Sequence, residues 1–209
     1  MKKLLLTVVL ALCLTACAGQ ETTETTQPET TQPETTQPET TQTEASQTET
    51  TQPADTAQPG ILSAFTAQDL QGNAVNQEIL KGKKLTMVNV WATFCGPCIN
   101  EMPDLGALAQ EYADKGVQIV GLLSDANASD GSVSASQVEL AQEIVDATGA
   151  NYLHIIPGTD MMGLLYQITS VPTTFFVDET GKQVGTAYVG SRDKDAWAAI
   201  IDQMLEEVA

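Results

Sequence analysis

Trp91-Ala92-Thr93-Phe94-Cys95-Gly96-Pro97-Cys98 follows a strand-like apolar run at residues 85–90 and opens a stretch with helical spacing that reaches about residue 113. Two cysteines in a Cys-x-x-Cys spacing at the start of a helix can close into a disulfide with little backbone movement. The N-terminus of the helix also stabilises the thiolate of the first cysteine, Cys95. The stretch therefore predicts a strand, a tight turn and a helix that begins at a dithiol.

The N-terminal residues predict an export signal. Two lysines precede a predominantly apolar run at residues 4–14, which is shorter than the about 20 apolar residues of a transmembrane helix. Leu14-Thr15-Ala16-Cys17 resembles the lipobox of bacterial lipoproteins, which implies a signal peptide at residues 1–16 and a lipid on the sulfur of Cys17. An ordinary secretory signal followed by an unrelated cysteine is the alternative.

The cysteine count limits what the pair can do. Of the four cysteines in the chain, cleavage would remove Cys13 and lipidation would block Cys17. Cys95 and Cys98 then remain as a redox pair, half of a metal site, or one small local disulfide. Zinc is disfavoured because a structural site usually needs four cysteine or histidine ligands, and the single histidine, His154, lies in an apolar stretch typical of a protein core. No metal site is therefore predicted.

Residues 17–60 predict a lipidated cysteine followed by a disordered tether. From Glu24 they repeat Glu-Thr-Thr-Gln-Pro and carry no large apolar side chain, so they cannot build a core. In polyproline II form, at about 3.1 Å per residue, the segment would reach about 130 Å. Residues 61–209 then form one domain of ordinary size.

The net charge of the chain limits the classes of partner that it can bind. Nine lysines and arginines stand against 27 aspartates and glutamates, a net charge of −18. Such acidity argues against binding to nucleic acid and against direct adsorption on anionic lipid.

The hydrophobic pattern of residues 61–209 alternates between strands and helices. Strands are predicted at 85–90, 117–123, 152–156, 173–178 and 184–190, and helices at 95–113, 138–148, 161–166 and after the capping residue Asp193. Residues 124–137 are expected to form a polar loop. This alternation, which ends in a hairpin and a helix, predicts an α/β domain with a mixed sheet.

Two further motifs point to a family. Val171-Pro172-Thr173-Thr174-Phe175 opens a predicted strand, and Asp178-Glu179-Thr180-Gly181-Lys182 forms the hairpin turn after it. With Cys-Gly-Pro-Cys upstream, residues 61–209 resemble the thioredoxin superfamily and, within it, the membrane-anchored TlpA/ResA-like thiol-disulfide oxidoreductases. The resemblance implies a thioredoxin-like fold, with a mixed central sheet flanked by helices, an N-terminal hairpin extension and an inserted helix. It implies no bound cofactor.

The resemblance also implies a division of labour around the dithiol. Cys95 is expected to attack a client disulfide and form a mixed disulfide, which Cys98 then resolves. Gly96 and Pro97 would keep the turn between the cysteines tight and lie against the client. Pro172 resembles the cis-proline of the family, which would present the backbone of Val171 to an extended client segment.

One acidic residue is expected to move protons. Glu101 lies three residues after Cys98, on the same helical face, and matches an acid that ResA-like proteins carry near the pair. If burial raises its pKa, it can exchange a proton with Cys98; an exposed surface glutamate is the alternative. Asn89 stands where cytosolic thioredoxins have a buried aspartate.

Aromatic residues near the motif are assigned to the client surface or to the core. Phe94 replaces the tryptophan that usually precedes the first cysteine and keeps an apolar contact surface. Trp91 is predicted to flank the site and contact clients. Phe175 and Phe176 are expected to be core residues.

The predicted function is an extracytoplasmic, lipid-anchored reductase of exported disulfide-containing clients. Electrons would come from an integral membrane thiol donor, and apocytochrome c or an exported methionine sulfoxide reductase would be the client. A thiol oxidase that forms disulfides in exported proteins would use the same residues. A non-catalytic binding lipoprotein is disfavoured because both cysteines and Pro172 are present.

Overall fold

The computed structural model describes residues 59–209. The predicted signal peptide, the lipid anchor at Cys17 and most of the predicted tether lie outside the described residues. None of the helices between Pro59 and Ala209 is both long enough and apolar enough to cross a membrane.

The described residues form a mixed sheet with helices on its faces. The strands are β1 (Thr66–Asp69), β2 (Ala74–Asn76), β3 (Leu85–Trp91), β4 (Val117–Leu123), β5 (Leu153–Pro157), β6 (Thr173–Val177) and β7 (Gln183–Val189). The α-helices are α1 (Gly96–Glu111), α2 (Ala135–Thr148), α3 (Met162–Leu165) and α4 (Lys194–Glu207), and short 3-10 turns lie at Gln77–Leu80, Ala113–Lys115 and Thr159–Met161.

The strand order is β2-β1-β5-β4-β3-β6-β7. Strand β4 pairs in parallel with β3 and with β5. The other four pairs, β1 with β2, β1 with β5, β3 with β6 and β6 with β7, are antiparallel. This arrangement confirms the predicted mixed sheet, with β1 and β2 as the N-terminal hairpin and α2 as the inserted helix. Every residue of the interior strand β3 is buried, which explains its predominantly apolar sequence.

The core lies on both faces of the sheet. On one face, α1 and α4 bury Leu105, Leu108 and Trp197 against β3 and β4. The opposite face is covered by the segment before β1 and by the region around α3. Phe175 and Phe176 are buried on these two opposite faces, which confirms that they are core residues.

The predicted boundaries differ from the structure by one or two residues at several elements, and the largest difference is at the start of α2. Helix α2 begins at Ala135, whereas the periodicity placed its start at residue 138. The side chain of Ser134 accepts a hydrogen bond from the backbone N–H of Gln137 and caps the helix. The polar first turn, which resembles a loop in sequence, therefore belongs to the helix.

The chain enters the domain against the turn between β6 and β7. The N–H of Leu62 donates to the carbonyl oxygen of Gly181 at 3.0 Å. Gly181 has a φ of +79°, and a Cβ there would overlap the backbone of Leu62. The carboxylate of Asp178 accepts from the N–H groups of Thr180 (2.8 Å) and Lys182 (3.1 Å), which explains the turn motif.

Candidate active site

The two cysteines of the motif form a disulfide at the first turn of α1. Their Cα atoms are 5.3 Å apart, and the sulfur of Cys95 accepts from the N–H of Cys98 at 3.2 Å. Cys95 is the N-cap residue of α1, and Pro97 occupies the first turn. Cys95 is 5% exposed and Cys98 is 0% exposed, so that only Cys95 is open to an incoming group. The helix terminus favours the thiolate of Cys95 once the disulfide is reduced.

A polar network holds the loop between β3 and the dithiol. One carboxylate oxygen of Asp125 accepts from the N–H of Thr93 at 3.0 Å and from its hydroxyl at 2.6 Å. The side-chain amide of Gln137 donates to both residues at 3.1 Å. Sequence reasoning missed Asp125 and Gln137, because they lie in the predicted polar loop and no motif marks them.

The second motif lies in a different part of the chain and reaches the buried cluster that contains the dithiol. The Val171–Pro172 peptide bond is cis, as the resemblance predicts. Val171 packs against the cluster of buried side chains that contains Cys95 and Cys98. The motif thus packs against the same buried cluster as the disulfide, and its role toward a client stays a prediction.

Glu101 is a buried carboxyl one helical turn beyond Cys98. It is 3% exposed, which excludes the alternative of a surface glutamate. Three donors reach it: the side-chain amide of Asn89 at 2.9 Å, the indole N–H of Trp197 at 3.1 Å and the backbone N–H of Arg192 at 3.1 Å. Burial raises the pKa of Glu101 above its usual value, and the three hydrogen bonds only partly offset it.

The partners of Glu101 come from distant parts of the sequence. Trp197 lies on α4 and Arg192 lies in the loop before it, while Asn89 lies on β3. Trp197 could be found from the sequence only as a core residue of an amphipathic helix, and Arg192 acts through its backbone, which no side-chain pattern reveals. Asn89 also donates to the hydroxyl of Thr174 at 3.0 Å.

The exposed rim of the site contains three of the predicted client-contacting residues. Phe94 is 78% exposed, and Gly96 and Pro97 are exposed beside it. These three residues lie at the surface around the attacking cysteine, and their contact with a client stays a prediction.

The prediction that Trp91 contacts clients was wrong. Trp91 is 0% exposed, and its ring stands edge-on to His154 with 5.4 Å between centroids. The cause is the length of β3, which continues through Trp91 and pairs it with Leu123 of β4. The side chain therefore points into the core.

His154 is a core residue, as predicted. It is 4% exposed, stacks on Tyr152 with centroids 4.4 Å apart, and its Nε2 lies 3.0 Å from the carbonyl oxygen of Ala150. Burial lowers the pKa of His154 to about 4. A Cβ on Gly121 would overlap its Nδ1, so the glycine makes room for the imidazole. Among residues 59–209, no three His, Cys, Asp or Glu side chains lie close enough to hold a metal ion.

Comparison with known proteins agrees with this geometry. The profile of the Redoxin family matches residues 33–201. The chain belongs to the Redoxin family. Its curated relatives include the thiol-disulfide oxidoreductase ResA of Halalkalibacterium halodurans, 31% identical over 145 residues that cover 68% of this chain and 70% of the relative. The thioredoxin-like protein YneN of Bacillus subtilis is 32% identical over 130 residues, which cover 62% of this chain and 70% of that protein.

Solved structures place this redoxin in the same fold. A thiol:disulfide interchange protein of the thioredoxin family from Chlorobium tepidum TLS superposes with a TM-score of 0.58 at 25% identity, covering 73% of this chain and 99% of that one. The chain is thus a TlpA/ResA-like member of the thioredoxin superfamily. Relatives and disulfide together identify the protein as a thiol-disulfide oxidoreductase.

Proposed function

We propose that the protein is an extracytoplasmic reductase of disulfides in exported client proteins. The observation that carries the thiol–disulfide exchange is the buried carboxyl of Glu101 on the same helical face as Cys98, with a raised pKa. A resolving thiol that is 0% exposed has no direct access to water, so a buried carboxyl with a raised pKa supports its turnover by accepting and returning a proton.

The first half of the reaction takes place at Cys95. Its thiolate attacks one sulfur of the client disulfide, forms a Cys95–client disulfide and releases the other client sulfur as a thiolate, which takes up a proton from water. The helix N-terminus stabilises the attacking thiolate, and the exposed rim at Phe94 and Pro97 receives the client.

The second half of the reaction takes place at Cys98. The carboxylate of Glu101 takes the proton of the Cys98 thiol, and the resulting thiolate attacks Cys95. The Cys95–Cys98 disulfide forms again, and the client leaves with its second sulfur reduced. Two electrons pass from the protein to the client. A dithiol donor in the membrane must then return two electrons to the disulfide before the next turnover.

The direction of electron flow rests on the Gly96-Pro97 pair between the cysteines. That pair is typical of reducing thioredoxins, and the residues between the cysteines influence the reduction potential. The proposed clients are apocytochrome c or an exported methionine sulfoxide reductase. The lipobox-like sequence before Cys17 supports attachment to the outer face of the cell membrane through a lipid on that cysteine.

The test is the reduction potential of the Cys95–Cys98 pair. The full chain, with Cys13 and Cys17 replaced by serine, is equilibrated in thiol–disulfide buffers, and its free thiols are then trapped and counted. A potential near thioredoxin's, about −270 mV, is expected, whereas one near −120 mV would make the protein a disulfide-forming oxidase. A Cys98→Ser variant supplies the single-thiol control.

Attachment to the membrane is tested separately. The Cys17→Ala chain should move from the membrane fraction to the soluble exported fraction, while a Cys13→Ala chain should stay with the membrane. Retention of the Cys17→Ala chain on the membrane would contradict the lipid anchor.

A further inference from the structure

Asn89 places a reversible hydrogen-bonding group against the buried carboxyl of Glu101. The two side chains are 0% and 3% exposed. Nδ2 of Asn89 donates to Oε1 of Glu101 at 2.9 Å and to the hydroxyl of Thr174 at 3.0 Å. Oδ1 of Asn89 is buried and has no partner among residues 59–209. Buried amides normally use both ends, so only half of this amide is satisfied in the present arrangement.

The two oxygens of Glu101 face different kinds of donor. Oε2 accepts from the indole N–H of Trp197 and from the backbone N–H of Arg192, both at 3.1 Å. Neither of these groups can act as an acceptor. A proton on the carboxyl is therefore disfavoured on Oε2 and belongs on Oε1, where Asn89 is the partner.

A side-chain amide can serve both ionisation states of a carboxyl. It has N–H groups at one end and a carbonyl oxygen at the other, and a half-turn of its last torsion exchanges the two ends. The N–H end suits the ionised Glu101, because a carboxylate can only accept. The carbonyl end suits the protonated Glu101, because the O–H at Oε1 needs an acceptor. The hydroxyl of Thr174 fits either orientation, since it can accept from the N–H end or donate to the carbonyl end.

The sheet provides an acceptor on the other side of the amide. Asn89, Gly121 and His154 lie side by side on β3, β4 and β5, and Thr174 flanks Asn89 on β6. Of the ring atoms of His154, Nδ1 lies nearest to where a Cβ of Gly121 would be, so it points across β4 toward β3. This nitrogen is buried and without a partner in the described part of the chain. It is an acceptor, because Nε2 carries the proton that faces the carbonyl oxygen of Ala150.

From this arrangement we infer that Asn89 is a positioning residue whose side-chain amide turns over each time Glu101 gains or loses its proton. When Glu101 takes the proton of Cys98, the proton lies on Oε1 and is donated to the turned Oδ1 of Asn89. When the proton returns to Cys98, the amide turns back and Nδ2 donates to the carboxylate. The buried carboxyl thus changes its charge without leaving a hydrogen-bonding group unpaired, which would be costly in the core.

The charged and titratable groups around Glu101 do not replace this amide. Burial raises the pKa of Glu101, and the positive charge of Arg192 offsets this only in part. The guanidinium of Arg192 itself donates to the carbonyl oxygen of Gly190 at 2.8 Å. Burial also raises the pKa of Tyr152, so that its phenol stays neutral. Cys98 is the group with which Glu101 exchanges its proton. The inference therefore rests on the proton transfer in the proposed function, and it does not depend on the direction of electron flow.

The test follows the ionisation of Glu101 by NMR. Full chain with Cys13 and Cys17 replaced by serine is used in its oxidised form, in which the disulfide removes the titration of Cys95 and Cys98. The chemical shift of the carboxyl carbon of Glu101 is recorded as the pH is varied. It gives the midpoint at which the buried carboxyl gains its proton.

The orientation of the amide is measured in the same samples. Nuclear Overhauser contacts are recorded from the two side-chain amide protons of Asn89. Above the midpoint these protons should contact the side chain of Thr174. Below it, those contacts should be lost and contacts with the Hα protons of Gly121 should replace them, with the same midpoint as the carboxyl shift. The amide of Asn127, which donates to the carbonyl oxygen of Pro157 at 3.0 Å, is the control and should keep its contacts throughout.

Glu101→Gln provides the neutral state at every pH. The carbonyl oxygen of the new side chain must face the N–H groups of Trp197 and Arg192, which only donate. Its own N–H groups then face Asn89, which must present Oδ1. The amide of Asn89 should therefore contact Gly121 rather than Thr174 in this variant, whatever the pH.

The other outcomes separate the inference from the proposed function. If Asn89 keeps its contacts with Thr174 while Glu101 titrates, the inference is overturned and proton transfer by Glu101 still stands. Contacts with Thr174 that persist in Glu101→Gln would overturn it as well, and so would an equal change at the control amide of Asn127. A carboxyl shift that stays constant while the chain remains folded would instead refute the proton transfer, and the orientation of the amide in Glu101→Gln would then decide the inference by itself.

Discussion

His154 should make the folded protein sensitive to acid. The imidazole is buried between Trp91 and Tyr152, and its folded pKa is about 4 against 6.5 in an exposed histidine. As pH falls below 6.5, the unfolded chain binds a proton at this position and the folded chain does not. The free energy of unfolding must therefore fall between pH 6.5 and about 4. Tyr152 supplies no compensating charge, since burial raises its pKa and keeps it neutral.

The magnitude follows from the two pKa values. Between 6.5 and about 4, at about 1.36 kcal/mol for each pH unit, the loss integrates to about 3 kcal/mol. This is a large fraction of the about 5–15 kcal/mol that stabilises an ordinary domain. Glu101 acts in the opposite sense, because its raised folded pKa favours the folded state in acid and costs stability as pH rises through that pKa.

The experiment compares the wild-type chain with His154→Gln and His154→Leu. Urea unfolding is followed by the fluorescence of the two tryptophans, Trp91 and Trp197, at pH 7 and at pH 4. Glutamine retains a donor for the carbonyl oxygen of Ala150 and leucine does not, so the variants differ in absolute stability. The quantity compared is the change between the two pH values, from which those constant differences cancel.

Wild type should lose about 3 kcal/mol more than either variant on going to pH 4. The contribution of Glu101 is common to all three proteins and drops out of the comparison. If all three lose the same free energy within about 0.5 kcal/mol, the imidazole is not held neutral by burial and the reasoning is refuted.

Three further substitutions test other parts of the site. Glu101→Gln should slow the resolving step by about 100-fold and remove its ionisation from the pH profile, measured by stopped-flow decay of the mixed disulfide; an unchanged profile would contradict proton transfer. Gly121→Ala should cost about 1–3 kcal/mol in urea unfolding because the new methyl group meets His154, and unchanged stability would show that the imidazole can move aside. Asp125→Ala leaves the N–H and hydroxyl of Thr93 without their acceptor, so it should lower the free energy of unfolding by about 1–3 kcal/mol and slow alkylation of Cys95. The control Asp114→Ala, at an exposed position, should do neither. Equal behaviour of the two variants would exclude a positioning role for Asp125.

The parts of the fold that could be predicted are those with local signals. A few consecutive residues are enough to predict the local structure in three places: the apolar run of β3, the Cys-x-x-Cys motif and the Val-Pro-Thr-Thr-Phe motif. Glu101 could be proposed because helical periodicity places it on the face of Cys98. The sequence could not decide whether it was buried, since that depends on Trp197, 96 residues away.

The errors share a physical origin in long-range contacts. Trp91 looked like a client-contacting residue because it is close to the cysteines in sequence, yet the pairing of β3 with β4 turns it inward. Asp125 went unnoticed because its partner, Thr93, lies 32 residues away. The start of α2 depended on a capping contact by Ser134 in a segment whose composition resembles a loop.

The contact between Leu62 and Gly181 determines where a force on the N-terminal segment acts on the domain. Strand β6 starts beside Pro172 and runs antiparallel to β3, so its far end lies at the beginning of β3, away from Cys95. Five residues at about 3.4 Å each make that strand about 17 Å long. Tension along the N-terminal segment would therefore act on the end of the domain opposite the dithiol. The turn between β6 and β7, which is hydrogen-bonded to Leu62, would carry it. A pull on the chain at Pro59 would therefore act through Leu62 and leave the end of the domain that holds Cys95 free of that load.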